Sequence, residues 1–406
     1  MRAARTGTLL LIGGLLACSP GQDELEAEAL SLHRSAIVVD THSDTTPLFE
    51  DPNWRFDRRH ALGHMDLPRM REGGLDVQFW SIYIGKTEGP GRTIRKALKR
   101  IDAVYRMLER HPDQLELAQD VAGIRRIVAE GKIASLMGLE GGHIIEDSLP
   151  ALRGFYRRGV RYMTLTHSFH TNWADSSGTD TTPAPVHLGL TRFGKQVVHA
   201  MNQLGMMVDV SHVSDQTLVD VLRASRAPMI ASHSSCRALA NHPRNLPDPM
   251  LQAIASKGGV IMLNFYPAYL DQDANEATRA HKLVLRDDLI PLRSRFKLEP
   301  AKGARALQAF YAQHPFPSVP LDILLDHFDH AIRVAGPDHV GIGADWDGVP
   351  SMPIGMEDVS HLPALTLGLL RRGHSAETVR KVLGENLLRV MSEVEYVARE
   401  LGYSER

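Results

Sequence analysis

The chain has 406 residues, of which 43% are hydrophobic and 23% charged, a balance that belongs to a folded domain and excludes collagen-like, mucin-like and disordered classes. Its 46 basic and 48 acidic residues leave a formal charge of −2 with no basic block, which excludes nucleic acid as a main partner. Two cysteines exclude a disulfide framework and a four-cysteine zinc site, while 20 histidines point to metal or acid–base chemistry.

The chain opens as an address. Arg2 and Arg5 precede a short apolar stretch from Thr8 to Ala17, too short to span a bilayer but flanked like a signal peptide. It ends in Leu15-Leu16-Ala17-Cys18, which resembles a bacterial lipobox, so Cys18 is the expected lipidation site and residues 1–17 the cleaved leader. Residues 18–33 read as a tether containing a short helix, and 34–406 as a single catalytic domain. The expected location is outside the cytoplasm, on a membrane, facing the periplasm or the cell exterior. Cys236 is left without a partner and is expected to be buried.

Beyond the tether, apolar runs alternate with amphipathic segments, the signature of βα units around a parallel sheet. The runs are Ala36–Thr41, Val77–Ile84, Ile133–Leu139, Val160–Thr166, Met206–Ser211, Met229–Ser232, Val260–Phe265 and Val340–Ala344. Helix-like stretches include Thr93–Arg110, Val121–Glu130, Leu149–Arg158, Gly194–Leu204, Asp215–Ala224 and Pro249–Ser256. Eight strands at these intervals favour an α/β fold, a (β/α)8 TIM barrel, over a doubly wound open sheet, which has a similar periodicity; the residues that close the runs decide for the barrel. Residues 270–320 are longer than a crossover needs and read as an insertion near the barrel mouth. Ala376–Leu401 reads as paired helices packed on the barrel.

The residues that close these runs carry the chemistry. They are His42-Ser43-Asp44, Glu140, His167, His212, His233 and Asp345. In a TIM barrel the C-terminal strand ends share one mouth, so six of eight runs deliver an imidazole or carboxylate to one place. Taken singly, a histidine at a strand end is more often structural and an aspartate there a helix cap. All six being incidental is a different proposition. Strand alternation sends His42 and Asp44 to one face, where both can hold a borderline-soft divalent ion such as zinc. His212 and His233 can hold a second ion, and Glu140 can give one oxygen to each. Two ions about 3.5–4 Å apart share a water and lower its pKa. His167 and Asp345 are then left as oxyanion stabiliser and proton shuttle. His143 and His170 lie near the mouth without an assigned role, and His60, His64, His111 and His374 read as surface residues.

These residues sit in motifs that resemble the membrane dipeptidase (renal dipeptidase) family of the amidohydrolase superfamily. The matching segments are Asp40–Asp44, Gly63–Tyr83, GLEGGH at Gly138–His143, Arg161–Ser176, VDVSHVS at Val208–Ser214, Ala227–Asn245, NFYPAY at Asn264–Tyr269 and GIGADWDGVP at Gly341–Pro350. The resemblance implies two zinc ions per chain, the first on His42 and Asp44, the second on His212 and His233, with Glu140 bridging. It implies that His167 contacts the scissile carbonyl and that Asp345 moves the proton from the bridging water to the leaving amine. Arg244 matches the arginine that pairs with the substrate's terminal carboxylate, and Tyr269 a tyrosine near that carboxylate.

The implied reaction is hydrolysis of L-Xaa-L-Xaa and L-Xaa-D-Xaa dipeptides by a metal-bridging hydroxide, with cleavage of the β-lactam of carbapenems as a side activity. The resemblance also suggests a homodimer. Two alternatives stay open on sequence: an amidohydrolase acting on an N-acyl amino acid or a lactone, and a lipoprotein that binds zinc or peptide without turnover. Departures are Thr41 where the family often has glycine and Ser43 where it often has asparagine. Asn172–Thr182 and the 270–320 insertion do not follow the animal sequences, whose anchor is a C-terminal glycolipid.

Overall fold

A computed structural model of the protein describes residues 20–86, 89–178 and 183–402. The leader and the lipidation site read at Cys18 lie outside the described residues. Among the described residues nine strands form one parallel sheet: β1 (Val39–Ser43), β2 (Val77–Tyr83), β3 (Leu115–Leu117), β4 (Ile133–Glu140), β5 (Val160–Thr164), β6 (Met207–Asp209), β7 (Met229–Ala231), β8 (Val260–Leu263) and β9 (Val340–Ile342). The order β2-β1-β9-β8-β7-β6-β5-β4, with β2 also paired to β4 from Val77↔Ala134 to Tyr83↔Glu140, closes eight of them into a (β/α)8 TIM barrel.

All eight expected strands are present. The short β3 was missed, because its alternating Leu115-Glu116-Leu117 is too brief to register; it pairs with the first residues of β4 below the point where β5 begins. Every residue of the barrel strands is buried except the half-buried Tyr83, as expected for a parallel sheet covered by helices outside and filled by side chains inside.

The six expected helices form within two residues of their sequence bounds, apart from their fraying ends. Side-chain caps explain several starts. Asp120 accepts from the Gly123 amide, Ser148 from Ala151, Thr191 from Gly194 and Ser214 from Thr217. Ser214 stands two residues past His212, so this cap also anchors a loop at the mouth.

Three regions depart from or extend the sequence reading. The segment read as a tether forms a helix, Pro20–Ser35, that buries Ala29, Leu32 and His33 against the rest of the domain. The His33 imidazole bridges the Thr366 hydroxyl and the Gly73 carbonyl at 2.7 and 2.8 Å. Second, Ala376–Glu400 is one continuous helical run and not a pair, with a π turn at Lys381–Glu385. The wider turn lets Gly384 pass against β1's approach, where a Cβ would stand 2.2 Å from the Ile37 carbonyl oxygen. Third, the insertion folds into helices Gln272–Val284, Arg286–Arg295 and Pro300–Gln313. It shields a small apolar cluster of Leu285, Leu289 and Phe316, separate from the main core. No helix among the described residues is long and apolar enough to cross a membrane.

Candidate active site

The barrel brings His42, Asp44, Glu140, His167, His212, His233 and Asp345 to one mouth. Glu140, at the end of β4, is the hub. Its Oε2 lies 3.5 Å from His42 Nε2, and its Oε1 lies 3.2 Å from His212 Nε2, 3.4 Å from His167 Nε2 and 3.6 Å from His233 Nε2. Asp44 Oδ2 is 3.5 Å from His42 Nε2, as strand alternation requires. Ligand atoms fall into three overlapping triads, each within 4.8 Å: His42–Glu140–His233, Glu140–His167–His212 and His42–Asp44–Asp345. Glu140 belongs to two of them and His42 to two, so the donors form one continuous set.

The donor chemistry fits divalent metal. Four imidazole nitrogens converge on one carboxylate, and buried His42 Nε2 has no hydrogen-bond partner. The Nδ1 atoms of His42, His167 and His233 each have a hydroxyl or phenol partner that fixes the ring's orientation, whereas that of His212 has none. His42 Nδ1 lies 2.9 Å from Tyr162 Oη, and Tyr162 gives its own proton to the Thr41 carbonyl at 3.0 Å. His42 therefore carries a proton on Nδ1 and turns Nε2, the atom free to ligate a metal, toward Glu140; burial opposes charge on this ring, but Tyr162, Glu140 and Asp44 hold it well above the usual imidazole range. Burial, reinforced by neighbouring positive groups, holds His212 and His233 well below the usual imidazole range, so both are neutral. Burial opposes charge on Glu140, but the His42 and His167 imidazoles hold its carboxyl well below the ordinary range.

The second aspartate is set apart from this anionic hub. Burial pushes the Asp345 carboxyl up to about 6, with the Asp44 and Glu140 carboxylates adding to the effect and His42 opposing it. Its Oδ2 accepts from Asn264 Nδ2 at 2.9 Å. Raised in this way and held by the Asn264 amide, the carboxyl is placed to carry a proton.

Backbone strain concentrates here. His212 and Asp345 hold φ of 68° and 67°, the left-handed region that non-glycine residues rarely occupy. The surroundings fix these turns. The His212 carbonyl accepts from Thr166 Oγ1, the Ser177 amide and Ser176 Oγ at 2.8, 2.8 and 3.1 Å. The Asp345 amide donates to the His42 carbonyl at 3.2 Å, tying β9's exit to β1's. The turn after Asp345 also requires Gly348, where a Cβ would come within 2.2 Å of Asp345 Oδ1 and 2.4 Å of Asp44 Oδ2.

Arg244 is 5% exposed and closes one side. Its Nη2 donates to the His233 carbonyl at 3.0 Å, its guanidinium lies 5.5 Å from the centre of the Tyr269 ring, and its buried Nε has no partner. No described carboxylate pairs with it. A buried cation lacking an anion is costly, and a carboxylate-bearing ligand would relieve that cost.

Sequence reasoning left two strands without a contribution, and both contribute. Ser81 on β2 donates to Glu140 Oε2 at 2.9 Å, and Asn264 after β8 holds Asp345. Neither titrates, so a search for titratable strand ends passes over them. Gly138 was quoted only as motif; a Cβ there would stand 1.9 Å from the Tyr162 ring that orients His42. His143 and His170 are structural: His143 Nε2 bonds the Ile84 carbonyl at 2.7 Å, and His170 joins the Pro183 carbonyl to the Ser176 amide. His64 is no free surface residue, because its Nδ1 accepts from the Asp347 amide at 3.0 Å. Cys236 is buried, with its thiol pushed up to about 12 by burial.

Comparison with known proteins agrees with this geometry. Three solved structures share the fold over most of the chain. The probable dipeptidase PvdM from Pseudomonas aeruginosa is 28% identical, with 93% of this chain and 100% of that one covered and a TM-score of 0.76. The dipeptidase AC, a metallo peptidase of family M19, is 27% identical over 89% of this chain and 99% of its own, with a TM-score of 0.72. A metallo peptidase from Rhodobacter sphaeroides, liganded with a phosphinate mimic of the dipeptide L-Ala-D-Ala, is 26% identical over 89% and 100%, with a TM-score of 0.71. The sequence profile described as membrane dipeptidase (peptidase family M19) matches residues 26–405. The chain thus belongs to the membrane dipeptidase family, peptidase family M19, and is a metal-dependent peptide-bond hydrolase built on a TIM barrel.

Proposed function

We propose that this protein is a zinc-dependent dipeptidase that holds two zinc ions per chain and releases free amino acids from L-Xaa-L-Xaa and L-Xaa-D-Xaa dipeptides. The observation that carries the reading is the Glu140 carboxylate facing His42, His167, His212 and His233, with Asp345 and Arg244 on the same mouth. His42 and Asp44 would hold one ion, His212 and His233 the other, and Glu140 both. Bound there, the ions supply an activated water and polarise the scissile carbonyl.

The chain's own residues do the rest. Asp345, held by Asn264, takes the proton from the attacking water and returns it to the leaving amine. His167, whose Nδ1 lies 3.0 Å from Ser168 Oγ, offers Nε2 to the oxyanion. Arg244 grips the terminal carboxylate, with Tyr269 beside it, and thereby sets the distance from carboxylate to scissile bond. That distance restricts the substrate to two residues. The dipeptide mimic bound by the Rhodobacter relative supports this substrate class.

We further propose that the protein is exported, anchored to a membrane by lipid on Cys18, and works as a homodimer. The signal-like residues 1–18 support the anchor, and family membership supports the dimer.

The test is metal content and turnover on one preparation. Two zinc ions per chain and release of free amino acids from L,L and L,D dipeptides, blocked by N-acylation, are expected. Arg244→Ala should lower kcat/KM by about 10- to 100-fold through KM, the worth of one charge-assisted hydrogen-bonded contact. Turnover of only N-acyl amino acids or lactones, indifferent to Arg244→Ala, would move the function to another amidohydrolase branch. Two bound ions without any turnover would leave a binding protein.

A further inference from the structure

Asp209 is the last residue of β6, three residues before His212, and is fully buried. A carboxylate within an apolar strand demands a purpose or a complete set of partners. It has the partners. Its Oδ1 accepts from the Ser211 and Ser232 amides at 3.0 and 2.8 Å, and its Oδ2 from Thr164 Oγ1 and Ser232 Oγ at 2.5 and 2.6 Å. Four donors occupy the four acceptor positions of one carboxylate.

The Ser232 bond has a consequence one residue on. Ser232 Oγ has a single proton, and Asp209 takes it. The oxygen that remains 2.7 Å from His233 Nδ1 can therefore only accept, so Nδ1 must be the protonated nitrogen of that ring. The lone pair then lies on Nε2, the atom that faces Glu140 Oε1 at 3.6 Å and His212 Nε2 at 2.8 Å. We propose that Asp209 is a positioning residue that selects the metal-ligating tautomer of His233 through the Ser232 hydroxyl. The inference rests on the reading of His233 as a metal ligand. His42 obtains the same result from Tyr162, whereas buried His212 Nδ1 has no partner, so the device serves particular ligands rather than all of them.

The wiring makes an unusual prediction. In Asp209→Asn the atom replacing Oδ2 becomes an NH2 group, which donates to Ser232 Oγ. Ser232 must then turn its proton to His233 Nδ1, which moves the imidazole proton to Nε2 and withdraws the lone pair from the metal. In Ser232→Ala the ring merely loses a partner and either tautomer is available. The double variant Asp209→Asn, Ser232→Ala removes the hydroxyl that transmits the wrong signal, so it should bind metal better than Asp209→Asn alone. A purely structural role for Asp209 gives the opposite order, because two lesions in one buried network do not restore each other.

The experiment is titration of the metal-free full chain with zinc by competition against a chelator, alongside thermal melting of each metal-free chain. Expected are two zinc ions in the parent, one of them weakened about 100-fold in Asp209→Asn and about 10-fold in both Ser232→Ala and the double variant. A double variant no tighter than Asp209→Asn, or Asp209→Asn binding as the parent does, overturns the proposal. Should Asp209→Asn not fold, Ser232→Ala against Ser232→Thr decides: weakening by alanine with recovery by threonine supports the relay, and parental affinity in Ser232→Ala overturns it. A parent chain that binds fewer than two zinc ions would instead overturn the two-zinc reading itself.

Discussion

The mouth of the barrel and the insertion at residues 270–320 are neighbours built on opposite terms. At the mouth, His42, Glu140, His212, His233 and Asp345 are all at most 8% exposed and held on both sides by strand ends and hydrogen bonds. The insertion exposes Leu283, Val284, Ile290 and Leu298 at 71, 79, 53 and 83%, and is held by a small apolar cluster of its own together with Ala274 in the main core and Ala304 packed against that core. Its helix Pro300–Gln313 packs beside Thr46–Phe49, which follows β1: Gln308 Nε2 donates to Asp347 Oδ1 at 3.2 Å, Arg305 pairs with Asp51 at 2.5 Å, and elsewhere in the insertion Lys282 lies 5.5 Å from the centre of the Tyr266 ring. Chemistry is carried where side chains have no freedom, and sequence novelty where they have much. Substitutions should therefore divide sharply between the two regions.

The largest effect is expected at the hub. Glu140→Gln removes the one carboxylate shared by four imidazoles and leaves an amide whose NH2 is repelled by metal. If the proposed two-zinc site is right, zinc content should fall to one or fewer per chain and kcat by about 10³-fold or more, since an activated water is what such ions would supply. Metal analysis with steady-state kinetics checks this. Two tightly held ions in Glu140→Gln would show that the hub is dispensable and erase the contrast drawn here.

Next comes Asp345→Asn, which keeps shape and the approach to Asn264 but cannot take a proton. Here kcat should fall about 10²- to 10⁴-fold with zinc still bound, the usual worth of a positioned proton carrier. Loss of metal in step with activity would make Asp345 a ligand instead, as its triad with His42 and Asp44 allows. Gly348→Ala should fall between the two in character. Its Cβ would press on Asp345 Oδ1 and Asp44 Oδ2, so zinc affinity and kcat should both drop, by roughly 10- to 100-fold. Melting temperature of the metal-free chain separates this from simple unfolding.

The legibility of the sequence follows the same division. Strand positions in the barrel were readable because burial on both faces leaves continuous apolar runs, and because the fold turns one end of every run toward one mouth. The residues that titrate and end those runs stood out: His42, Glu140, His212 and Asp345 interrupt hydrophobic sequence with titratable side chains. The residues that position them did not. Ser81, Tyr162, Asn264 and Gly348 act through a hydroxyl, a phenol, an amide and an absent Cβ, residue types ordinary in strands and turns. Asp40 and Asp209 could have been found, since a carboxylate inside an apolar strand is itself a signal. Asp40 accepts from the Ala344 amide and Gln78 Nε2, both at 2.7 Å, pinning β1 to its neighbours. The π turn at Lys381–Glu385 was invisible, because it answers to the approach of Ile37 and not to any periodicity in its own residues.

The smallest effect is expected in the insertion, and it tests the comparison most directly. Leu298 is 83% exposed, so replacing it removes almost no buried surface. Leu298→Ser should change stability by no more than about 0.5 kcal/mol, the ordinary range for surface positions. Zinc content and kcat/KM for dipeptides should be those of the parent, because the helix that touches the mouth is Pro300–Gln313, beyond this residue, and its contacts at Asp51 and Asp347 are unaltered. Thermal melting and kinetics on one preparation suffice. A change in the apparent molecular mass of Leu298→Ser with kinetics intact would identify the exposed apolar row as an interface between chains. A fall in kcat/KM at unchanged mass would mean that the insertion and the mouth move together, and that the contrast between a rigid site and an independent cover is wrong.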